Sequence, residues 1–201
     1  MKDSLPRLIK RYNRREPCGE SGIAAVEFVI ILPLMLIVLV LIVDFARLFD
    51  ARFVITNLAR EGASLSSRDL KSPTELITLL QEGAKPLDLL TSGRIYISKI
   101  TAGATSTNPK PVIASQNDSG SLGAASSIKS TSSTLGLSAT MYDHLVFNAA
   151  NKTADISGVT VVEVFYKYMP ITPLSRLIPG LLTGNGGGII INSKAVFLST
   201  Q

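Results

Sequence analysis

Phe28 to Val43 is an uncharged apolar run of about 16 residues, and adding Ile23 to Val26 across the lone Glu27 lengthens it to about 21. That is enough to cross ~30 Å of hydrocarbon at ~1.5 Å per residue. With roughly −0.3 to −0.6 kcal/mol from each Leu, Ile, Val or Phe, the run totals about −5 to −10 kcal/mol, which outweighs one carboxylate placed near its end. The sequence therefore predicts a transmembrane helix over 23–43, and a chain of 201 residues suits one further domain beside such an anchor. The feature that hydrophobicity does not explain is Glu27.

The flanks set the expected orientation. Lys2, Arg7, Lys10, Arg11, Arg14 and Arg15 precede the run, against Asp3, Glu16 and Glu20. Beyond it, Arg47, Arg52 and Arg60 alternate with Asp44, Asp50 and Glu61. The excess of positive residues on the first side predicts a cytoplasmic N-terminus, with the rest sent outward. Residues 1–22 are short, basic and broken by Pro6 and Pro17, and read as a leader rather than a domain. A cleavable secretory signal is the competing reading; the apolar region is longer than an ordinary signal core, and no Ala-x-Ala-like site follows it in 43–51. The formal charge is +5, but the leader carries three of those charges. The remainder is close to neutral, with no basic stripe interleaved with aromatics, so nucleic acid is not an expected partner. The single cysteine, Cys18, precedes the span and can form no intramolecular disulfide.

Gly22, followed by Ile23 and then by Glu27 as the fifth residue counted from Ile23, resembles the recognition site of prepilin peptidases. The glycine before Ile23 suits an extended, narrow approach to such an enzyme. Gly22 to Phe28, then Leu32-Pro33-Leu34, Asp44-Phe45, Ala51-Arg52 and Asn57-Leu58-Ala59-Arg60-Glu61-Gly62-Ala63, together resemble the signature of the TadE-like family, minor pseudopilins of tight adherence (Tad, or Flp) pilus assembly. The resemblance covers 21–64 and, more weakly, the Tyr-x-Tyr-x-Pro near 166–170. It implies cleavage between Gly22 and Ile23, with Glu27 and Phe28 serving recognition and assembly. It also implies a bacterial inner-membrane protein whose C-terminal domain is periplasmic or extracellular. The implied partners are the membrane, a prepilin peptidase, other pilin-like subunits and the pilus assembly platform. On this reading the Glu27 carboxylate neutralises the new ammonium on Ile23, one turn away or on an adjacent subunit. An uncleaved single-span anchor displaying a binding domain is the alternative.

Past the span the pattern becomes amphipathic. Phe45, Leu48, Phe49, Phe53, Ile55, Leu58 and Ala59 recur at mostly three- and four-residue steps, so a helix is predicted to continue over 44–70, with one side free to cover a sheet and with Gly62 at a close contact or near its end. Pro33 inside the span is either a tolerated kink or a point where packed helices bend. An α+β domain is expected over 71–201: a helix from Pro73 to Leu90, divided at Pro86; strands at 94–101, 159–168 and 189–198; and a short helix around 141–149. The stretch 102–134, rich in Ser, Thr, Gly and Ala, reads as exposed loop with a short strand at most over Pro111 to Ala114. Leu174 to Leu182 suggests one or two helical turns, and 183–188 a glycine-rich turn. The predicted whole is a long helix, transmembrane then amphipathic, on a small antiparallel sheet, in a pilin-like arrangement.

Catalytic chemistry is poorly represented. His144 is the only histidine and lacks companions at metal-ligand spacing. The glycine-rich 183–188 lacks the Lys-Ser/Thr of a phosphate loop, and no Gly-x-Ser-x-Gly occurs. A structural protein is expected, with no metal, cofactor or small-molecule substrate.

Overall fold

The structure, a computed structural model, describes residues 20–171 and 188–199. The leader up to Gly19, the proposed turns at 174–182 and most of the glycine-rich 183–188 lie outside the described residues. The chain divides into two compact units, Met1–Ile42 and Val43–Gln201. In the first, every described residue is helical, and the side chains from Gly22 onward are almost all exposed. They belong to the first helix, α1 (Glu20–Ser67), which is unbroken through Pro33. Among the described residues it is the one helix long and apolar enough to cross a membrane.

The second unit is an α+β domain. Its four strands, β1 (Gly93–Thr101), β2 (Val112–Ser119), β3 (Gly158–Tyr168) and β4 (Ile189–Leu198), form one sheet in the order β2-β1-β3-β4 with every neighbouring pair antiparallel. β3 is central and buried on both faces, as its run of Val, Phe and Tyr requires. On one face Val162 and Val164 pack with Ile95, Ile97 and Ile191 beneath Ile55, Leu58, Ala59 and Ala63 of α1. Leu76, Ile77 and Leu80 of α2 (Pro73–Gly83) complete that core. Pro73 opens α2 behind a capping box, in which Ser72 Oγ accepts from Glu75 N and the Glu75 carboxylate accepts from Ser72 N, both at 3.3 Å. The helix predicted to run to Leu90 is divided near Pro86, and a short α3 (Leu89–Ser92) follows, capped by Asp88.

The other face of the sheet departs from expectation. The stretch 102–134, although largely exposed, is more than a loop: it supplies edge strand β2 and then folds back over the sheet. Ile128, Leu135 and Leu137 are buried against Ile100, Val159 and Val161, together with Leu145 of α4 (Ala139–Leu145). The sheet is therefore covered on both sides. In β2 the sequence Val-Ile-Ala-Ser-Gln-Asn-Asp-Ser half-buries alternate residues, but the inward side chains after Ala114 are polar, so hydrophobic alternation fades halfway along the strand.

Candidate functional site

α1 carries every residue for which the sequence suggests a role. Gly22, Ile23, Glu27 and Phe28 all lie within its described part, in the first unit. Ile23 and Glu27 are four residues apart, hence neighbours on one helix face with Cβ atoms about 5–6 Å apart. Both side chains are exposed, as is Phe28. A Cβ built on Gly22 would meet nothing within 4 Å, so this glycine is not held by packing. The Gly22–Ile23 bond is itself helical.

In the second unit α1 presents two different faces. Ala51, Ile55, Leu58, Ala59 and Ala63 are buried against the sheet, while Leu48 and Val54 are partly covered. Phe45, Phe49 and Phe53, expected among the residues that cover the sheet, point away from it at 61%, 47% and 65% exposure. The reason is angular. At about 100° per residue, positions 45, 49 and 53 fall opposite 51, 55 and 62, and a period-counting argument does not separate the two apolar stripes. The segment Asn57 to Ala63 resolves in the same way: Leu58, Ala59, Gly62 and Ala63 face inward, and Asn57, Arg60 and Glu61 face solvent. A Cβ on Gly62 would sit 2.7 Å from Leu80 Cδ1 and 3.4 Å from Val162 Cγ1. The glycine is thus the point where α1 touches both α2 and β3.

The family model of TadE-like proteins matches residues 22–64. The match begins at Gly22 and stops short of the end of α1, so the TadE-like segment is helix throughout. It includes the apolar span, the phenylalanine stripe and the small-residue face. The match suggests involvement in tight adherence pilus assembly. No curated protein and no solved structure matches the chain.

Where the TadE-like segment enters the domain, Asp44 is fastened to the end of β3. Tyr168 Oη donates to the Asp44 carbonyl at 3.1 Å, and Ile171 N donates to Asp44 Oδ1 at 3.2 Å. Burial raises the Tyr168 pKa above its ordinary value, and the Asp44 charge adds to the shift. A groove of about 410 Å³ opens beside this junction, lined by Arg47, Asp50, Tyr166, Tyr168, Met169 and Ile171 among others.

Sequence reasoning missed a second polar cluster. Glu163 lies in the middle of β3 at 2% exposure. Its carboxylate accepts from Ser126 Oγ, Ser127 Oγ and Ser127 N. Ser126 Oγ in turn accepts from Ile128 N at 3.0 Å and from Gln116 Nε2 at 3.1 Å. Lys194, opposite Glu163 on β4, donates to Ser127 Oγ at 2.9 Å and to the Gly136 carbonyl at 2.7 Å. Burial lowers the Lys194 pKa, and the Glu163 charge opposes that shift. The available signal was a single acid amid the apolar residues Val161, Val162, Val164 and Phe165, a charge that must be hydrogen-bonded if buried. The network clamps 126–136 to the sheet. His144 Nδ1 lies 2.9 Å from Asp155 Oδ2, both exposed, rather than beside a nucleophile. Among the described residues no group of three or more His, Cys, Asp or Glu is placed to hold a metal.

Proposed function

We propose that this chain is a non-catalytic, pseudopilin-like subunit of a tight adherence pilus assembly system. It inserts in the inner membrane with its N-terminus cytoplasmic, is cleaved between Gly22 and Ile23 by a prepilin peptidase, and assembles through α1 with other pilin-like subunits. The observation that carries the reading is the coincidence of Gly22, Ile23 and Glu27 at peptidase spacing with the first residues of the TadE-like match, on a helix whose apolar surface is left uncovered. The clamped, two-sided domain beyond Val43 is then the outward, pilin-like part that caps, primes or connects the machinery. Phe28, next to Glu27, contributes apolar contact surface to the same assembly.

The helical Gly22–Ile23 bond favours one other reading, an uncleaved anchor, because a peptidase must first unwind this turn. Glu27→Ala separates the proposals. It removes an expensive charge from the span and leaves the Ile23 ammonium without a counterion, so membrane insertion should persist while pilus output falls. Normal output from that variant would remove the pairing of Glu27 with the new N-terminus.

A further inference from the structure

We infer that the phenylalanine stripe of α1 is a pairing surface for the same helix of a second copy of this chain, set side by side and parallel. The inference rests on the membrane orientation proposed above, since both copies then enter the bilayer in the same direction. Phe45, Phe49 and Phe53 follow one another at four-residue steps, and all three side chains are exposed. Phe45 and Phe49 already contact each other edge to face, with ring centroids 5.0 Å apart. The sheet lies against the opposite side of α1, so among the described residues nothing in the domain obstructs an approach to the stripe.

Lipid does not account for the whole stripe. Counting from Val43 at ~1.5 Å per residue, Phe45, Phe49 and Phe53 lie about 3, 9 and 15 Å along the helix, whereas each headgroup layer is only about 5–8 Å deep. A bilayer can cover Phe45 and reach Phe49. It leaves Phe53 in water unless protein covers it.

The flanking charges indicate which protein. Arg52 and Asp50 stand about 80° to either side of the Phe49–Phe53 line, on opposite flanks. Both are exposed, and neither makes a salt bridge among the described residues. In a parallel pair the left flank of one helix meets the right flank of the other, as in the e and g positions of coiled coils. Arg52 of each copy therefore meets Asp50 of the other, about 3 Å apart in height along the axes. One face thus carries its own complement twice. Arg60, two turns above Phe53, ends the apolar stripe and so limits the pairing to the lower part of the helix.

The test uses the full chain in native membranes, with Cys18→Ser to remove the only natural thiol. Phe49→Cys on the stripe and Glu61→Cys, exposed and away from it, are each oxidised and resolved without reductant. The expected result is a linked dimer from Phe49→Cys at least tenfold more abundant than from Glu61→Cys. Adding Arg52→Glu should reduce it several-fold, and Asp50→Arg on top of that should restore it. No dimer from Phe49→Cys, equal dimer from both positions, or no recovery on charge exchange overturns the inference, leaving lipid or a different subunit as the occupant. Leader cleavage is read on the same gel from monomer mobility, so failure of processing and failure of pairing are separate results.

Discussion

Tyr168 at the end of β3 donates its phenolic hydrogen to the main-chain carbonyl of Asp44, 124 residues earlier and one residue past the apolar run. A long-range bond to helix backbone ties the last turn of the sheet to the point where α1 joins the domain. Tyr168→Phe should cost about 0.5–1.5 kcal/mol, the net value of one such bond. It should also alter the alkaline limb of stability. The folded-state pKa of Tyr168 is raised, so above about pH 10 the unfolded chain loses the proton first and stability falls as pH rises. Melting temperatures between pH 9 and 11 should therefore fall more steeply for the natural chain than for Tyr168→Phe.

The two faces of α1 predict opposite responses to the same kind of substitution. Ile55 is fully buried, and Ile55→Ala should cost about 2–5 kcal/mol in denaturant unfolding. Phe49→Ala and Phe53→Ala, on the solvent face, should change the stability of an isolated protomer by no more than about 0.5 kcal/mol. A chain beginning at Asp44 should still outlast one beginning at Ala51. The difference comes mainly from the Tyr168 and Ile171 bonds and the partly buried Leu48, since Phe45 and Phe49 point away from the sheet.

Glu163 makes the segment after β2 part of the fold. Ser126→Ala removes one donor from a buried carboxylate and should cost about 1–3 kcal/mol. Glu163→Gln should expose 126–136 to proteolysis before the rest of the domain opens. It should also lower the Lys194 pKa further, since the charge opposing its desolvation is gone. Deleting 126–136 should abolish folding, because Ile128 and Leu135 belong to the second core.

The elements with strong periodicity were legible in the residues: the apolar helix, its amphipathic continuation, β3 with its β-branched run, and β4 at its observed limits. Pro73 and Pro86 marked real boundaries because proline dictates backbone geometry locally. Two features were not legible. The inward side of α1 could not be chosen between an alanine-rich stripe and an aromatic one, because burial there is decided by how closely α2 and β3 approach at Gly62 rather than by hydrophobicity. The fold-back of 126–136 is held by serines, a glutamine and one glutamate, and hydrogen bonds between such residues leave no periodic trace. The proposed peptidase-site residues Gly22, Ile23, Glu27 and Phe28 are readable only through spacing and family resemblance, since no described residue packs against Gly22.

The most direct measurement is the N-terminal sequence of the protein extracted from membranes of cells with an active prepilin peptidase. Cleavage between Gly22 and Ile23 predicts Ile-Ala-Ala-Val-Glu as the first five residues, and Gly22→Val, which meets no packing obstacle in the folded chain, should leave the leader attached. Recovery of the natural chain with Met1 to Ser21 intact would contradict processing and leave an uncleaved anchor.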